Sequence, residues 1–144
     1  MIPDFEDGDN LPCGRHRCSW DELVERFGRG DARRWLCRQL RWILERAQRC
    51  GYLRVWVGGS FPTSKVAPGD LDLTFITRVG VSKDNVPAEC AELLDSSTSR
   101  QRFGHDFMFC VEDYELLDSL GDALGFDKRT GKDRGMLELD LRCL

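Results

Sequence analysis

The sequence predicts an α/β (α+β) fold, a mixed sheet with helices packed on it. Short β-prone runs alternate with segments whose apolar residues recur at helical spacing, and this alternation is typical of such sheets. The apolar content of 41% and charged content of 32% are those of a globular protein, and no apolar run approaches the roughly 18 residues of a membrane span. The 144 residues fit one domain over 19–144, preceded by an extended arm over 1–18.

Two helices are predicted in the first third of the chain. Ser19 and Glu22 have the spacing of a capping box, which predicts a short helix that runs through Phe27 and ends at the glycines that follow. Asp31 is expected to cap a second helix, which ends at Gly51. Apolar residues recur at helical spacing in this second helix: Leu36, Leu40, Ile43, Leu44 and Ala47.

The rest of the chain reads as strands separated by helices. Strands are predicted at 53–57, 70–76 and 105–111, and helices at 87–95 and 113–124. The last segment, 126–141, is predicted to be a hairpin with its turn at 130–133 and its apolar residues on the returning strand.

Composition limits the classes of partner and location. A net charge of −4 gives no general indication of a nucleic-acid-binding surface. Seven scattered cysteines, an odd number, are expected to be reduced thiols, and the acidic N-terminus resembles no secretory signal, so a cytoplasmic location without a membrane partner is expected. The arginines of the second helix are expected to form a solvated face, with RNA or DNA binding as the alternative. Core or helix-packing roles are expected for all four tryptophans: Trp20, Trp35, Trp42 and Trp56.

The stretch VGGSFPTSKVAPGDLDLTFI, residues 57–76, carries the candidate chemistry. Asp70 and Asp72 alternate with apolar residues, so both carboxylates point to one face of a strand, where their repulsion favours a bound cation. Gly58 and Gly59 allow a ligand to approach the backbone, and their N–H groups can point at a phosphate, with the Ser60 hydroxyl beside them. Paired carboxylates next to substrate phosphates are the environment that Mg²⁺ prefers.

This pattern resembles the signature of the DNA polymerase β nucleotidyltransferase superfamily. It consists of an apolar residue and Gly-Gly-Ser, a spacer, and Asp-x-Asp in an apolar strand. The wider layout is similar to small bacterial and phage proteins with a minimal nucleotidyltransferase-like domain, through WDELVERFG, RRWL, GGSFPTSKVAPGDLDL, HDFMF and GKDRGMLELDL. The resemblance implies a minimal nucleotidyltransferase fold, a nucleoside triphosphate (NTP) as substrate, and Mg²⁺ or Mn²⁺ as cofactor.

The resemblance also assigns roles to particular residues. Asp70 and Asp72 match the metal-binding pair, and a third carboxylate on a neighbouring strand matches Asp106, with Asp140 as the rival. This third carboxylate is also expected to accept the proton of the attacking hydroxyl. The nucleotide-binding residues that the resemblance and the spacing favour are Gly58, Gly59, Ser60 and Lys65, and the further cations considered for phosphate are Lys128, Lys132 and Arg134.

The expected function is a metal-dependent transfer of a nucleoside monophosphate from an NTP to a hydroxyl of a protein, an RNA or a small molecule. A role of this transfer reaction in phage defence or in a toxin–antitoxin pair is a variant of the expected function. The alternative is a catalytically silent domain that binds a nucleotide or a protein. Because the catalytic-type fold uses nearly all residues, acceptor recognition is expected from loops, the N-terminal arm, a second copy of the chain or a partner protein.

Overall fold

A computed structural model describes residues 1–124, 126–127 and 132–144, with the backbone alone at 126–127 and 132–133. In chain order, the strands are β1 (Arg15–Arg17), β2 (Arg54–Gly58), β3 (Asp72–Thr77), β4 (Asp106–Val111), β5 (Phe126–Asp127), β6 (Lys132–Asp133) and β7 (Met136–Asp140). Five of them form one sheet in the order β1-β7-β2-β3-β4, and β5 pairs with β6 apart from it.

The five-stranded sheet is mixed. Strand β2 is antiparallel to both β3 and β7, whereas β1 is parallel to β7 and β4 is parallel to β3. In this register Gly58 lies opposite Asp72, and Asp72 lies opposite Asp106. The predicted α/β (α+β) class with a mixed sheet is therefore confirmed.

In the described part of the chain, the α-helices that accompany the sheet are α1 (Trp20–Phe27), α2 (Asp31–Arg49), α3 (Ala88–Ala91), α4 (Ser99–Phe103) and α5 (Tyr114–Leu124). Short 3₁₀ turns follow α3 and β7, at Glu92–Leu94 and Leu141–Cys143. The predicted capping box opens α1, where the Ser19 hydroxyl accepts from the Glu22 N–H at 3.1 Å and the Glu22 carboxylate accepts from the Ser19 N–H at 3.1 Å. The predicted cap of α2 is wrong, because Gly30 is the N-cap residue and Asp31 is the first helical residue.

Apolar side chains pack on both faces of the sheet. One cluster joins α1 and α2 to alternate residues of the strands, such as Val57, Leu73 and Phe107. A smaller cluster lies on the opposite face, where α5 covers Trp56 and Ile76. Because successive strand side chains point to opposite faces, Leu71 and Leu73 face α1 and α2, whereas Asp72 shares the α5 face of β3 with Ile76.

The C-terminal prediction needs correction. The segment 126–141 is not one hairpin, because β7 enters the main sheet between β1 and β2, while the short β5–β6 pair precedes it. The first half of the predicted turn, 130–131, lies outside the described residues. Residues 87–95 form a four-residue helix and a 3₁₀ turn rather than one helix. Two elements, β1 and α4, were not predicted.

Two further findings concern the N-terminal segment and the cysteines. Leu11 is buried, and Arg15–Arg17 form the edge strand beside β7, so the segment 1–18 contacts the domain through regular pairing. A disulfide with an S–S distance of 2.05 Å joins Cys50, at the end of α2, to Cys90 in α3. The expectation that all cysteines are reduced is therefore wrong for this pair. Among the described residues, no helix is both long enough and apolar enough to cross a membrane.

Candidate functional site

The turn after β2 brings backbone against a carboxylate. Gly59 has a φ of +68°, a conformation that favours glycine. A Cβ atom at this position would overlap the Asp72 carboxylate. Glycine at position 59 therefore allows both the turn and the close approach of the Asp72 side chain.

Three predicted carboxylates meet at this end of the sheet. Asp72 and Asp106 are direct neighbours on the parallel strands β3 and β4. Asp70 lies just before β3, and its carboxylate is 2.7 Å from the Arg100 guanidinium. The same guanidinium pairs with Asp106, where its Nε donates at 3.1 Å and its Nη2 makes a second, shorter contact. Arg100, on α4, thus bridges two of the three acids.

The electrostatics of these acids are unequal. Burial raises the pKa of Asp72 to about 6, and the charge of Asp70 and a hydrogen bond with the Asp106 carboxylate act in the same direction. The hydrogen bonds from Arg100 lower the pKa of Asp106, and they raise that of Arg100 itself. Near neutral pH, Asp106 is therefore ionised, and Asp72 is more readily protonated than Asp106.

A cavity of about 160 Å³ opens beside these residues, and its lining includes Gly58, Gly59, Asp72, Asp106 and Arg134. Neither Ser60 nor Lys65 lines it, although both belong to the loop that leaves Gly59. Lys65 is exposed, and its ammonium group pairs with none of the described carboxylates. Of the other predicted phosphate cations, Arg134 lines the cavity, Lys128 lies outside the described residues, and the Lys132 side chain does as well.

Asp140, the rival third carboxylate, lies at the other end of the sheet. It is paired in register with Arg54, which in turn lies opposite Ile76, four residues along β3 from Asp72. Its carboxylate accepts hydrogen bonds from Arg142, including one of 2.9 Å from Nη2. Of the two candidates, Asp106 is the one that the fold brings to Asp70 and Asp72.

His105 is buried and fixes the start of β4. Its Nδ1 accepts a hydrogen bond of 3.0 Å from the Leu71 N–H, and its Nε2 lies 2.6 Å from Oε1 of the Gln39 side-chain amide. Burial lowers the pKa of this imidazole. A neutral ring with a proton on Nε2 satisfies both contacts, so His105 ties the strand next to Asp106 to α2.

Sequence reasoning missed Arg33, which organises the loop after Gly59. This arginine is buried in α2 and donates to the carbonyl groups of Phe61, Thr63 and Lys65, at distances between 2.6 and 3.1 Å, as well as to Phe27. The signal was present, because position 33 lies three residues before Leu36 on the apolar stripe of the helix. Arg100 had no comparable signal in the sequence.

The donor set at this site can be compared with the needs of a divalent cation. Carboxylate oxygens are the ligands that Mg²⁺ prefers, and the glycine turn leaves room for phosphate beside them. In the arrangement described, a cation is already present between Asp70 and Asp106, the guanidinium of Arg100. Within the described parts of the chain, no three His, Cys, Asp or Glu side chains form a group that could hold a metal as they stand. The chemistry of the residues fits a divalent cation, provided that Arg100 moves away.

Comparison with known proteins gives a family match. Residues 3–140 match the model of a family of unknown function, DUF6932. No curated protein and no solved structure matches the chain. The match covers nearly the whole chain, and its description names no activity.

Proposed function

We propose that the chain, which belongs to the DUF6932 family of unknown function, is a metal-dependent nucleotidyltransferase. On this proposal it moves a nucleoside monophosphate from an NTP to a hydroxyl of a protein, an RNA or a small molecule. The observation that carries the proposal is the meeting of Asp70, Asp72 and Asp106 beside the Gly59 turn. The resemblance of the motif to the polymerase β superfamily supports it further.

The proposed roles follow from the position of each group. Asp70, Asp72 and Asp106 would hold Mg²⁺ or Mn²⁺, which when bound neutralises the triphosphate and lowers the pKa of the attacking hydroxyl. Asp106 is half exposed and ionised, so it can accept the proton of that hydroxyl. The N–H groups at Gly58 and Gly59 would contact phosphate oxygens, and the exposed Lys65 would add a positive charge. Arg100, also half exposed, would release the acids and pair with phosphate.

A second candidate function is a catalytically silent domain that binds a nucleotide or a protein. The Arg100 bridge favours it, because this guanidinium compensates two of the three acids without any metal. In a silent domain Arg100 would be a permanent part of the fold. The two candidates therefore differ in what removal of Arg100 does to the affinity for a divalent cation.

The test measures the binding of Mn²⁺ and of an NTP by calorimetry, followed by transfer of an α-phosphate label to acceptors in a cell lysate. For the enzyme, we expect metal-dependent NTP binding that Asp70→Asn/Asp72→Asn abolishes. We also expect Arg100→Met to bind Mn²⁺ alone several-fold more tightly, because no guanidinium then competes for the carboxylates. Arg102→Met is the matched control, since Arg102 lies on α4 with Arg100 but pairs with Glu92, in the 3₁₀ turn after α3.

The outcomes separate the candidates. Label transferred to a discrete acceptor by the wild type but not by Asp70→Asn/Asp72→Asn supports the enzyme. NTP binding without transfer, together with an Arg100→Met variant that is less stable and gains no affinity for Mn²⁺, supports the silent domain. The absence of both NTP and Mn²⁺ binding contradicts the nucleotide-binding site itself.

A further inference from the structure

We infer that a groove between α2 and α4 binds single-stranded RNA by stacking bases on exposed tryptophans. Trp35 and Trp42 are 60% and 54% exposed, so neither is a core residue, although Trp42 contacts Phe103 of α4 in the expected helix-packing role. They are seven residues apart on α2 and therefore lie on the same face of that helix. Two large aromatic surfaces of this kind on one exposed helix face indicate a ligand.

Aromatic rings and arginine side chains from both helices line the groove. It measures about 440 Å³, and its lining joins Trp35, Arg38 and Trp42 of α2 to Arg102 and Phe103 of α4. The Trp42 and Phe103 rings have centroids 6.3 Å apart, and the Arg46 guanidinium lies 5.6 Å from the centre of the Trp42 ring. Unpaired bases stack on aromatic rings and on arginine planes, so this lining suits single-stranded nucleic acid.

The charge of the groove also fits a polyanion. Arg38, exposed between the two tryptophans, pairs with none of the described acidic side chains. Arg46 and Arg102 share one carboxylate, that of Glu92. Arg38 and Arg102 thus line the groove, and the largely buried Arg46 lies beside the Trp42 ring, although the whole chain has a net charge of −4. Because this basic surface is short, it suits a few exposed nucleotides rather than a long duplex.

RNA is the occupant that this geometry favours. Unpaired bases in loops and at chain ends are regular features of RNA, and these are the parts that proteins read by stacking. Gln39 in the lining of the groove contacts His105, the residue before Asp106, from the α2 side of the sheet. The binding itself depends on the groove alone and does not require the proposed transfer reaction.

The experiment titrates the protein into a labelled, unstructured RNA of about 12 nucleotides and follows fluorescence anisotropy at low salt. We expect the wild type to bind and Trp35→Ala/Trp42→Ala to bind at least about tenfold more weakly, because two stacking surfaces are lost. Arg38→Glu, which leaves both tryptophans in place, should also weaken binding. The matched controls Tyr114→Ala and Arg78→Glu change exposed residues outside the groove and should bind as the wild type does.

Further measurements distinguish RNA from the other ligands that the groove could bind. The variant Asp70→Asn/Asp72→Asn should keep its affinity for RNA, so a failed transfer reaction and a failed RNA site give different results. The inference is overturned if the wild type does not bind RNA, if the controls lose as much affinity as the groove variants, or if DNA of the same sequence binds as tightly. Self-association of the wild type that Trp35→Ala/Trp42→Ala abolishes, measured by sedimentation, would assign the groove to a second copy of the chain and overturn it too.

Discussion

Gly59 has a backbone conformation and a close neighbour that both exclude a side chain. Its φ of +68° and the contact that a Cβ would make with the Asp72 carboxylate both oppose any side chain. We expect Gly59→Ala to lower the free energy of unfolding by about 1 to 3 kcal/mol and to weaken NTP binding, because the turn or Asp72 must shift. Urea denaturation and calorimetry measure these two effects.

Gly69→Ala is the matched control for this prediction. Gly69 lies in the same loop, has no positive φ, and has open space where a Cβ would lie. We expect its stability and NTP affinity to remain close to those of the wild type. Equal effects of the two substitutions would show that the turn at position 59 has no special requirement for glycine.

Asp72 gives a prediction about pH. Its pKa is raised from 3.8 to about 6 in the folded chain, so the folded state binds a proton more tightly than the unfolded state does. The stabilising effect of that proton is fully present below about pH 4 and is lost as the pH rises towards 6. We expect Asp72→Asn, which cannot ionise, to gain about 1 to 2 kcal/mol over the wild type between about pH 4 and pH 8, after allowance for solvent screening. Urea denaturation across this range measures the difference, and a constant difference would contradict it.

At the scale of single residues, the acids of the site could be predicted from the sequence better than the arginine that pairs with them. Asp70 and Asp72 are two apart, so the period of a strand already places them on one face. Asp106 could be proposed because it opens an apolar strand, but its pairing with Asp72 depends on the order of strands in the sheet. Arg100 comes from a short helix absent from the sequence prediction, and nothing local connects it with Asp70.

Among the elements, α2 does more than cover the sheet, because Arg33 fixes the loop after Gly59. This side chain donates to four carbonyl groups, three of them between Phe61 and Lys65. We expect Arg33→Met to lower the free energy of unfolding by about 3 kcal/mol or more, because buried carbonyl groups lose their donors. NTP affinity should fall as well, since Lys65 is carried by this loop. Chemical denaturation and calorimetry measure both.

The neighbouring arginine provides the control. Arg34 is exposed, and its one ion pair among the described residues is with Asp31, three residues earlier. Surface pairs of this kind contribute little, so Arg34→Met should change stability by less than about 1 kcal/mol. Similar losses for the two variants would mean that the helix, and not the hydrogen bonds of Arg33, determines the stability.

The elements themselves were predicted where local patterns determine them. The capping box, the apolar period of α2 and the alternation in β3 are each encoded in adjacent residues, and the structure has all three. Strand β7 was expected to return along its own hairpin, but its partners β1 and β2 are distant in sequence. Strand pairing over such distances depends on the packing of the whole sheet, which a local pattern does not contain.

At the scale of the whole molecule, the two faces of the sheet differ in the residues that they carry. The face under α1 and α2 is a continuous apolar core, whereas the α5 face combines a smaller apolar cluster with the acids at one end. The carboxylates therefore lie at the rim of a rigid sheet, where β3 and β4 fix the spacing of Asp72 and Asp106. Burying these carboxylates in the apolar core would cost more free energy, because at the rim they remain partly in contact with water.

The disulfide connects the core helix to the segment that carries the site. Cys50 and Cys90 are 40 residues apart, and the chain between them includes β2, the Gly59 turn and β3. Closing this loop restricts the unfolded chain, so we expect Cys50→Ser/Cys90→Ser to lower the free energy of unfolding by about 3 to 4 kcal/mol. Reductant should lower the Tm of the wild type towards that of this variant and leave the variant itself unchanged. Cys13→Ser/Cys143→Ser, which removes two exposed free thiols, is the control and should melt as the wild type does. A wild-type Tm that does not respond to complete reduction would contradict a stabilising role for the bond.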